Sequence, residues 1–249
     1  MPSPAPKRIV CPPTAASVAV AGDVTLAREL GLPHLDAPAD GYDFILVRNA
    51  ARLELHDRRD PKLKPLHLDF ADTELRPYAP ALSRRQPLAR AIGKVSVVVD
   101  ATAGLAQDAL RLALMGYRVT AIERSPIVTA LVRDALQHAG ARTANERLEL
   151  RVGDARTLLP GLAPRPETIY LDPMFPAKRR YSSAVRKELK WLRDLVGDDA
   201  DALELFDIAR RAATYRVVVK RPDHAPPLAP DPAGSIVGKL VRYDIYSVK

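Results

Sequence analysis

From residue 95 to residue 220, short apolar segments rich in β-branched residues alternate with longer segments of helical periodicity. The first of these, residues 95–99, is a β-branched run of the kind that is buried on both faces of a parallel sheet. The expected strands are residues 95–99, 117–122, 148–152, 168–171 and 215–220, with helices at residues 107–115 and 127–139. Two last segments, residues 236–237 and 241–246, predict a closing hairpin at the sheet edge. The alternation therefore predicts an α/β fold with a doubly wound, mostly parallel, seven-stranded sheet.

The residues before this pattern predict a smaller unit. Residues 42–56 predict a β-hairpin, and residues 25–30 predict a helix that ends at a glycine. Residues 66–70 repeat the alternation of apolar and polar side chains that is typical of a half-exposed strand. We therefore expect a Pro-rich, poorly ordered segment at residues 1–15, a small α+β subdomain at residues 16–75 and a larger α/β domain at residues 76–249.

Composition and charge restrict the environment and the partners. The 249 residues carry a formal net charge of +8, which fits either a nucleic-acid-binding protein or a merely soluble basic protein. No segment has the roughly 18 consecutive apolar residues that a membrane-spanning helix requires, and the first residues do not resemble a secretory signal. Cys11 is the single cysteine, so no internal disulfide is expected. We therefore expect a cytoplasmic protein without a membrane partner.

The first two strands of the larger domain end in residues that suit a nucleoside cofactor. Gly104, in the turn after the first strand, lets a ligand approach the backbone closely. This turn lacks the other glycines of the G-x-G-x-x-G dinucleotide pattern, and Asp100 with Asp108 suits a cofactor that has a cationic amino-acid moiety. Glu123 ends the second strand, where a carboxylate can accept hydrogen bonds from both hydroxyls of a ribose. A tight turn and an acid near a helix start also explain these motifs taken singly.

Two later strand ends add candidate site residues. Asp154 follows the third strand, where an acid could accept a hydrogen bond from an adenine amino group. Residues 170–176, with the sequence YLDPMFP, have the spacing of loops in which enzymes methylate exocyclic or amide nitrogens. Asp172 can accept hydrogen bonds from the amine and localise its lone pair, Pro173 can fix the loop, and Phe175 can stack on an extruded base. These three residues are the predicted catalytic residues, although two prolines can also simply terminate a strand.

The sequence lacks the motifs that are typical of metal sites, of hydrolases and of nicotinamide-dependent oxidoreductases. The five histidines are scattered and a single cysteine adds no zinc-ligand spacing, so no metal is expected. No G-x-S-x-G segment of the hydrolase type occurs. A nicotinamide-dependent oxidoreductase is a rival interpretation, and the missing glycines after the first strand argue against it. An RNA-binding module without catalysis is a further alternative.

Four motifs, in their order along the chain, resemble those of a known family. They are residues 100–105 (DATAGL), 122–124 (IER), 170–176 (YLDPMFP) and 217–223 (VVVKRPD). From about residue 60 to its end, the chain resembles the ribosomal RNA small subunit methyltransferase J family, which makes N2-methylguanine in 16S rRNA. The resemblance implies a class I, Rossmann-like methyltransferase domain with S-adenosylmethionine as cofactor. N-methylation of another nucleic acid, such as guanine in tRNA or adenine N6 in DNA, is the alternative.

The motifs and the resemblance together imply the binding residues. The expected cofactor contacts are Asp100, Gly104, Gln107, Asp108, Glu123, Arg124, Asp154, Ala155 and Asp172. The implied partner is small-subunit rRNA or the 30S subunit, and the residues expected to hold its phosphates are Lys178, Arg179, Arg180, Lys220 and Arg221. The chain departs from the family pattern in three places: Gln107 replaces the usual Arg, Ala106 replaces the usual Gly, and residues 81–87 replace a Gly-rich basic loop.

Overall fold

The computed structural model describes residues 16–49, 52–70, 82–139, 146–173, 195 and 200–248. These residues form two compact units, each with its own sheet. The first unit contains residues 16–49, 52–69 and 125–138 with Leu195, and the second contains the remaining described residues. Among the described helices, none has the length and apolar character to cross a membrane. The predicted division into residues 1–15, 16–75 and 76–249 stays a prediction.

The described elements follow the chain in this order. The strands are β1 (Val18–Ala21), β2 (His34–Leu35), β3 (Phe44–Asn49), β4 (Arg52–Asp57), β5 (Val97–Asp100), β6 (Arg118–Glu123), β7 (Leu148–Val152), β8 (Thr168–Leu171), β9 (Arg216–Pro222), β10 (Gly234–Val237) and β11 (Val241–Ser247). The helices are α1 (Val24–Leu30), α2 (Pro87–Ile92), α3 (Gln107–Leu114), α4 (Pro126–His138), α5 (Ala155–Leu158) and α6 (Ala202–Ala212).

The first unit has a four-stranded mixed sheet in the order β2-β1-β3-β4. Strand β1 is parallel to β2 and to β3, and β3 pairs with β4 as the predicted antiparallel hairpin. Apolar side chains of β1, β3 and β4 pack with Ile127 and Leu131 of α4. The buried carboxylate of Asp134, also on α4, accepts hydrogen bonds from the Leu53 backbone N–H and from Arg48, each at 2.8 Å. Helix α4 therefore completes both the core and the hydrogen bonding of this sheet.

The strand predicted at residues 66–70 is reduced to a single bridge. Leu66 and Leu55 exchange backbone hydrogen bonds of 2.8 and 2.9 Å. In an antiparallel ladder, the next such pair would join Leu53 to Leu68. The Leu53 N–H is instead directed at the carboxylate of Asp134, so the ladder does not continue in that direction.

The second unit contains a seven-stranded sheet in the order β10-β11-β9-β8-β5-β6-β7. Strands β9, β8, β5, β6 and β7 are parallel, whereas β11 and β10 form an antiparallel hairpin on the β9 side. The predicted α/β fold, with a doubly wound, mostly parallel sheet, is confirmed. Helix α6 is an addition that the sequence pattern did not predict.

Helices cover both faces of this sheet, which explains the continuous apolar character of the central strands β5 and β8. Side chains alternate between the faces along each strand, and on β8 Ile169 and Leu171 share a core with Phe206 of α6. The intervening residues face α2 and α3. Thr168 Oγ1 donates to the Ile92 carbonyl at 3.1 Å, and the Tyr170 hydroxyl donates to Asp108 at 2.7 Å.

The chain order reverses between β5 and β8, which lie side by side. From β5 the chain proceeds outward through β6 to β7, whereas β8 leads to β9 on the opposite side. In open α/β sheets, ligands bind outside the carboxyl ends of the strands at such a switch point. The carboxyl ends of β5 and β8 therefore mark the place to look for a site.

Candidate active site

The loop after β5 is joined to the end of β6 by hydrogen bonds. The Ala103 N–H donates to the Ile122 carbonyl at 3.0 Å, and the Gly104 N–H donates to Glu123 Oε2 at 2.8 Å. Gly104 has φ 51°, in the left-handed region. A Cβ placed on Gly104 would meet no atom of the described residues within 4 Å. The backbone at Gly104 is therefore open to a ligand. The carboxylate beside it is buried, since Glu123 is only 5 % exposed.

The end of β7 lies next to the end of β6. The Gly153 N–H donates to the Glu123 carbonyl at 2.9 Å, which places Asp154 directly after this contact. The Asp154 carboxylate accepts the Arg156 N–H at 2.8 Å and caps α5, while its side chain is 41 % exposed. The hydrogen bond from the Arg156 side chain is the largest cause that lowers the pKa of Asp154. This carboxylate is therefore ionised at neutral pH and reachable from solvent.

Three other expected cofactor residues take different positions at this edge. Gln107 is exposed at the first position of α3, and Ala155 is buried at the start of α5. The Arg124 guanidinium pairs with the Asp201 carboxylate at 3.3 Å, just before α6. Arg124 directly follows Glu123 in the chain, but its guanidinium is already paired with Asp201.

Asp172 and Pro173 follow β8 directly. The Asp172 N–H donates to Thr102 Oγ1 at 2.6 Å, which ties the end of β8 to the loop after β5. Lys220 Nζ donates to Asp172 Oδ2 at 2.8 Å, and the Asp172 side chain is still 38 % exposed. Pro173 is buried. Four residues that the sequence predicts for this site lie outside the described residues: Phe175, Lys178, Arg179 and Arg180.

Asp108 and Asp100 lie close to this carboxylate and differ in electrostatic environment. Burial opposes ionisation of Asp108, but Lys220, Tyr170 and Arg111 outweigh it, and the pKa of Asp108 is lowered. Asp108 Oδ2 accepts hydrogen bonds from Lys220 at 2.8 Å and Tyr170 at 2.7 Å. Burial, followed by the charge of Asp108, raises the pKa of Asp100 well above its usual value. The two acids thus favour opposite protonation states.

Lys220 and Arg221, which we expected to hold RNA phosphates, are engaged within the fold. Lys220 pairs with Asp108 and Asp172. Arg221 is 6 % exposed, and its Nε and Nη2 donate to the Pro226 carbonyl at 2.9 and 2.6 Å. A phosphate contact requires a cation displayed to the RNA, and neither side chain is placed in that way. The prediction of a phosphate contact does not fit these two positions.

These contacts join the strand ends into one continuous site. Glu123 binds the Gly104 amide, the same loop binds Asp172 through Thr102, and Asp172 meets Asp108 through Lys220. The sequence did not point to Thr102 or Tyr170 as members of the site. Tyr170 belongs to the predicted catalytic motif, and side chains alternate along a strand, so it faces away from Ile169. That alternation could have predicted that Tyr170 lies on the face of the sheet that carries Asp108. Within the described ranges, no group of three or more His, Cys, Asp or Glu side chains is arranged to hold a metal ion.

The fold and this site define an S-adenosylmethionine (SAM)-dependent methyltransferase. The model of a family described as SAM-dependent methyltransferases matches residues 25–248. A crystal structure of a SAM-dependent methyltransferase from Neisseria gonorrhoeae is similar to the chain with a TM-score of 0.72 and 29 % identity, over 93 % of this chain and 96 % of that one. More narrowly, the chain belongs to the ribosomal RNA small subunit methyltransferase J family.

Relatives of that name cover nearly the whole chain. The protein from Enterobacter sp. (strain 638) is 43 % identical in an alignment of length 237 that covers 89 % of this chain and 90 % of that protein. The protein from Aeromonas hydrophila is 43 % identical over 234 residues, with 89 % and 91 % covered. The protein from Thioalkalivibrio sulfidiphilus is 42 % identical over 234 residues, again with 89 % and 91 % covered. The predicted family and enzyme class are confirmed.

The residues present fit SAM as the cofactor. SAM combines a nucleoside, which offers hydroxyl and amino donors, with a cationic amino-acid part. The site presents carboxylates at the ends of β6, β7 and β8, together with the open backbone at Gly104. Acceptors of this kind match the donors and the positive charge of the cofactor.

Proposed function

We propose that this enzyme methylates the exocyclic N2 of a guanine in small-subunit ribosomal RNA. The relatives at 42–43 % identity are named for action on that RNA, and the chain matches them over 89 % of its length. The net charge of +8 suits a polyanionic substrate. The observation that carries the proposal is the Asp172 carboxylate, which is 38 % exposed at the switch point of the sheet.

Asp172 would receive the amine of the target base. An aryl amine is a poor nucleophile because its lone pair is delocalised into the ring. A carboxylate that accepts a hydrogen bond from the amine favours localisation of the pair on nitrogen, and it can stabilise the positive charge that develops there. When bound, SAM supplies an electrophilic methyl carbon on a positively charged sulfur. After methyl transfer the positively charged nitrogen would lose its proton to water, so Asp172 needs only to accept a hydrogen bond and no dedicated base is required.

Pro173 and Phe175 would complete the base pocket, and Lys178, Arg179 and Arg180 would hold nearby phosphates. Proline restricts the backbone so that the carbonyl groups of the loop keep one direction. An aromatic ring at residue 175 would stack on the extruded base, as is usual for enzymes that act on unpaired bases. Basic side chains directly after this loop would fix the position of the RNA without reading its sequence.

Gly104, Glu123 and Asp154 would make the principal cofactor contacts. The open backbone at Gly104 would admit the amino-acid part, Glu123 would accept the ribose hydroxyls, and Asp154 would accept the adenine amino group. Asp100 and Asp108 would act on the site through their electrostatic field, because Asp100 is buried and Asp108 is hydrogen-bonded by Tyr170 and Lys220. Gln107, Arg124 and Ala155 would flank the cofactor.

The direct test is methyl incorporation by the purified protein from radiolabelled SAM. Assembled 30S subunits, naked 16S rRNA, tRNA and duplex DNA should be compared at equal nucleotide concentration. We expect incorporation into small-subunit RNA, with N2-methylguanine as the product after nuclease digestion and mass spectrometry. Preferential labelling of tRNA or DNA, or a product other than N2-methylguanine, would contradict the proposal.

Asp172→Ala separates catalysis from binding. We expect its turnover rate to fall by at least roughly 100-fold, because the amine loses its acceptor. RNA binding and the circular dichroism spectrum should be retained. Asp207→Ala, at an exposed position on α6, is the matched control and should keep full activity. Equal activity of both variants would exclude Asp172 from the reaction.

A further inference from the structure

Lys220 lies between two carboxylates that come from different parts of the chain. Its Nζ atom is 2.8 Å from Asp108 Oδ2 and 2.8 Å from Asp172 Oδ2. Lys220 belongs to β9, Asp108 to the first turn of α3, and Asp172 to the end of β8. The Lys220 side chain is 24 % exposed, compared with 38 % for Asp172. The Lys220 side chain is thus the more buried of the two, and the Asp172 carboxylate is the more exposed to solvent.

Asp108 is fixed independently of Lys220. The Tyr170 hydroxyl donates to Asp108 Oδ2 at 2.7 Å, and Arg111 Nη1 donates to Oδ1 at 3.2 Å. Tyr170 is fully buried in the centre of the sheet, so its hydroxyl has little freedom to move. One end of the bridge is therefore anchored in the core, and the other end is the carboxylate that would receive the target amine.

We propose that Lys220 is a positioning residue for methyl transfer, which holds the Asp172 carboxylate ionised and in one orientation through its anchor on Asp108. The inference rests on the proposed function, because it assigns Lys220 a task only if Asp172 receives the amine. It also replaces the expected phosphate contact of Lys220 with a task inside the site.

The charge state of Lys220 supports this assignment. Burial alone would lower the pKa of the ammonium, but the charges of Asp172 and Asp108 outweigh burial, and the pKa of Lys220 is raised. Lys220 therefore remains protonated throughout the neutral range. A protonated amine cannot take the proton that leaves the methylated nitrogen, so the role of Lys220 is electrostatic and geometric.

The surrounding groups make Asp172 sensitive to the loss of this cation. Among the described residues, the carboxyl of Asp100 and the phenols of Tyr170 and Tyr243 also interact with these charges, and Arg111 is a further cation, which pairs with Asp108. Without Lys220, three carboxyl groups would share one region with no ammonium between them. Repulsion between the charges of Asp108 and Asp172 would then favour uptake of a proton.

The test compares the wild type with Lys220→Met and Lys220→Arg, and Lys94→Met is the matched control at an exposed lysine. Single-turnover methyl transfer is measured from pH 5 to pH 9 with saturating SAM. For Lys220→Met we expect a rate about tenfold lower at pH 7 and an acid limb moved upward by about one pH unit. Lys220→Arg keeps the positive charge, so its acid limb should stay near that of the wild type.

A second measurement needs neither cofactor nor RNA. Carbon-13 NMR follows the titration of aspartate carboxyl carbons, and Asp172→Asn assigns the relevant resonance. We expect the Asp172 resonance to titrate at higher pH in Lys220→Met than in the wild type, and to be unchanged in Lys94→Met. A folded Lys220→Met protein with an unshifted resonance would overturn the inference. A lower rate with an unchanged pH profile would also overturn it, because a merely structural role predicts that result.

Failure of the proposed function gives a different pattern. If the wild type methylates no small-subunit RNA, or if Asp172→Ala is fully active, the proposed function fails whatever the titration shows. If the wild type is active and depends on Asp172 while Lys220→Met keeps the wild-type rate and titration, only the present inference fails.

Discussion

Asp100 is the acid whose surroundings most oppose its charge. It is 2 % exposed at the end of β5 and lies beside Asp108 and Asp172. Burial and these neighbours raise its pKa well above the usual 3.8. A carboxyl group with a raised pKa stabilises the native state at low pH, and this contribution is lost as the pH rises through the raised value.

Asp100→Asn should therefore change how stability depends on pH. The amide cannot ionise, so the variant avoids the cost of a buried charge at neutral pH. We expect the free energy of unfolding of the variant, relative to the wild type, to increase from pH 4 to pH 8 by roughly 1 kcal/mol or more. Urea denaturation of the cofactor-free protein at a series of pH values measures it. A constant difference across that range would show that Asp100 is ionised without penalty.

Ala106 adopts a backbone conformation that glycine normally occupies. Its φ is 55°, it is fully buried, and it precedes α3 in the loop that we propose approaches the cofactor. The left-handed conformation costs an L-residue about 1–2 kcal/mol. Glycine relieves that cost but loses about 0.5–1 kcal/mol to its greater freedom in the unfolded chain.

Substitutions at Ala106 should separate these effects. We expect Ala106→Gly to unfold within about 1 kcal/mol of the wild type, because the two contributions oppose each other. Ala106→Val should lose more than about 2 kcal/mol, because a β-branched residue is strongly disfavoured at positive φ. Thermal and urea denaturation measure both variants. Equal stability of the valine variant and the wild type would be incompatible with a positive φ at residue 106.

The sequence predicted which residues end the strands but not how they pair. Gly104 and Glu123 were both expected in one site because parallel strands end at the same edge, and the two are hydrogen-bonded. Lys220 was expected to face the RNA, whereas its partner Asp108 stands 112 residues away in the chain. A local sequence pattern cannot predict a contact between residues so far apart in the chain, because that contact depends on which strands become neighbours in the sheet.

At the scale of elements, the end of α6 depends on a single arginine. Arg165 donates to the carbonyls of Arg211 at 2.6 Å, Ala212 at 3.2 Å and Ala213 at 3.2 Å. The last carbonyls of a helix have no partner within the helix and carry partial negative charge. Arg165 thus supplies both the hydrogen bonds and the charge that this end requires.

Arg165→Ala should lower the stability of the second unit. We expect a loss of about 1–2 kcal/mol, because three carbonyls lose a charged donor, while cofactor affinity should be kept. Denaturation curves and calorimetric titration with S-adenosylhomocysteine measure the two quantities. Arg118→Ala, at an exposed position on β6, is the control and should change stability by less than about 0.5 kcal/mol. Equal losses in the two variants would refute the capping role of Arg165.

Local pattern sufficed for elements with strong periodicity and failed for others. Strands β7 and β8 have the predicted bounds. The first alternates apolar and charged residues up to Gly153, and the second is a run of β-branched, aromatic and apolar residues that ends before Asp172 and Pro173. Helix α6 was not predicted, although Leu205, Phe206, Ala209 and Ala212 have helical spacing and are buried. Strand β2 has two residues, which is too short for any periodicity, and it exists only through its pairing with β1.

At the scale of the whole molecule, the first unit depends on a helix that comes late in the chain. Helix α4 belongs to this unit, although it follows β6 of the other unit in sequence. It contributes Ile127 and Leu131 to the core and an acceptor for the Leu53 N–H. The strand–helix alternation placed α4 between β6 and β7 but carried no information about which unit it would join.

A fragment of residues 1–75 should therefore not fold on its own. Without α4, the apolar faces of β1, β3 and β4 lose part of their cover, and the Leu53 N–H loses its acceptor. We expect a poorly dispersed NMR spectrum and no cooperative thermal transition. Addition of a peptide of residues 125–138 should increase the dispersion, whereas the same peptide with Asp134→Ala should be less effective. A cooperative transition of the fragment alone would contradict this dependence.

The hydrogen bond between the Gly104 amide and Glu123 has a consequence for measured affinities. One of the two carboxylate oxygens that would accept the ribose hydroxyls already accepts a donor of the protein at 2.8 Å. Binding at that oxygen is an exchange or a sharing of partners, so the observed affinity is the difference between two interactions. Weak selectivity among nucleosides in binding measurements would then reflect the strength of the Gly104–Glu123 hydrogen bond as much as that of the bond between Glu123 and the ribose.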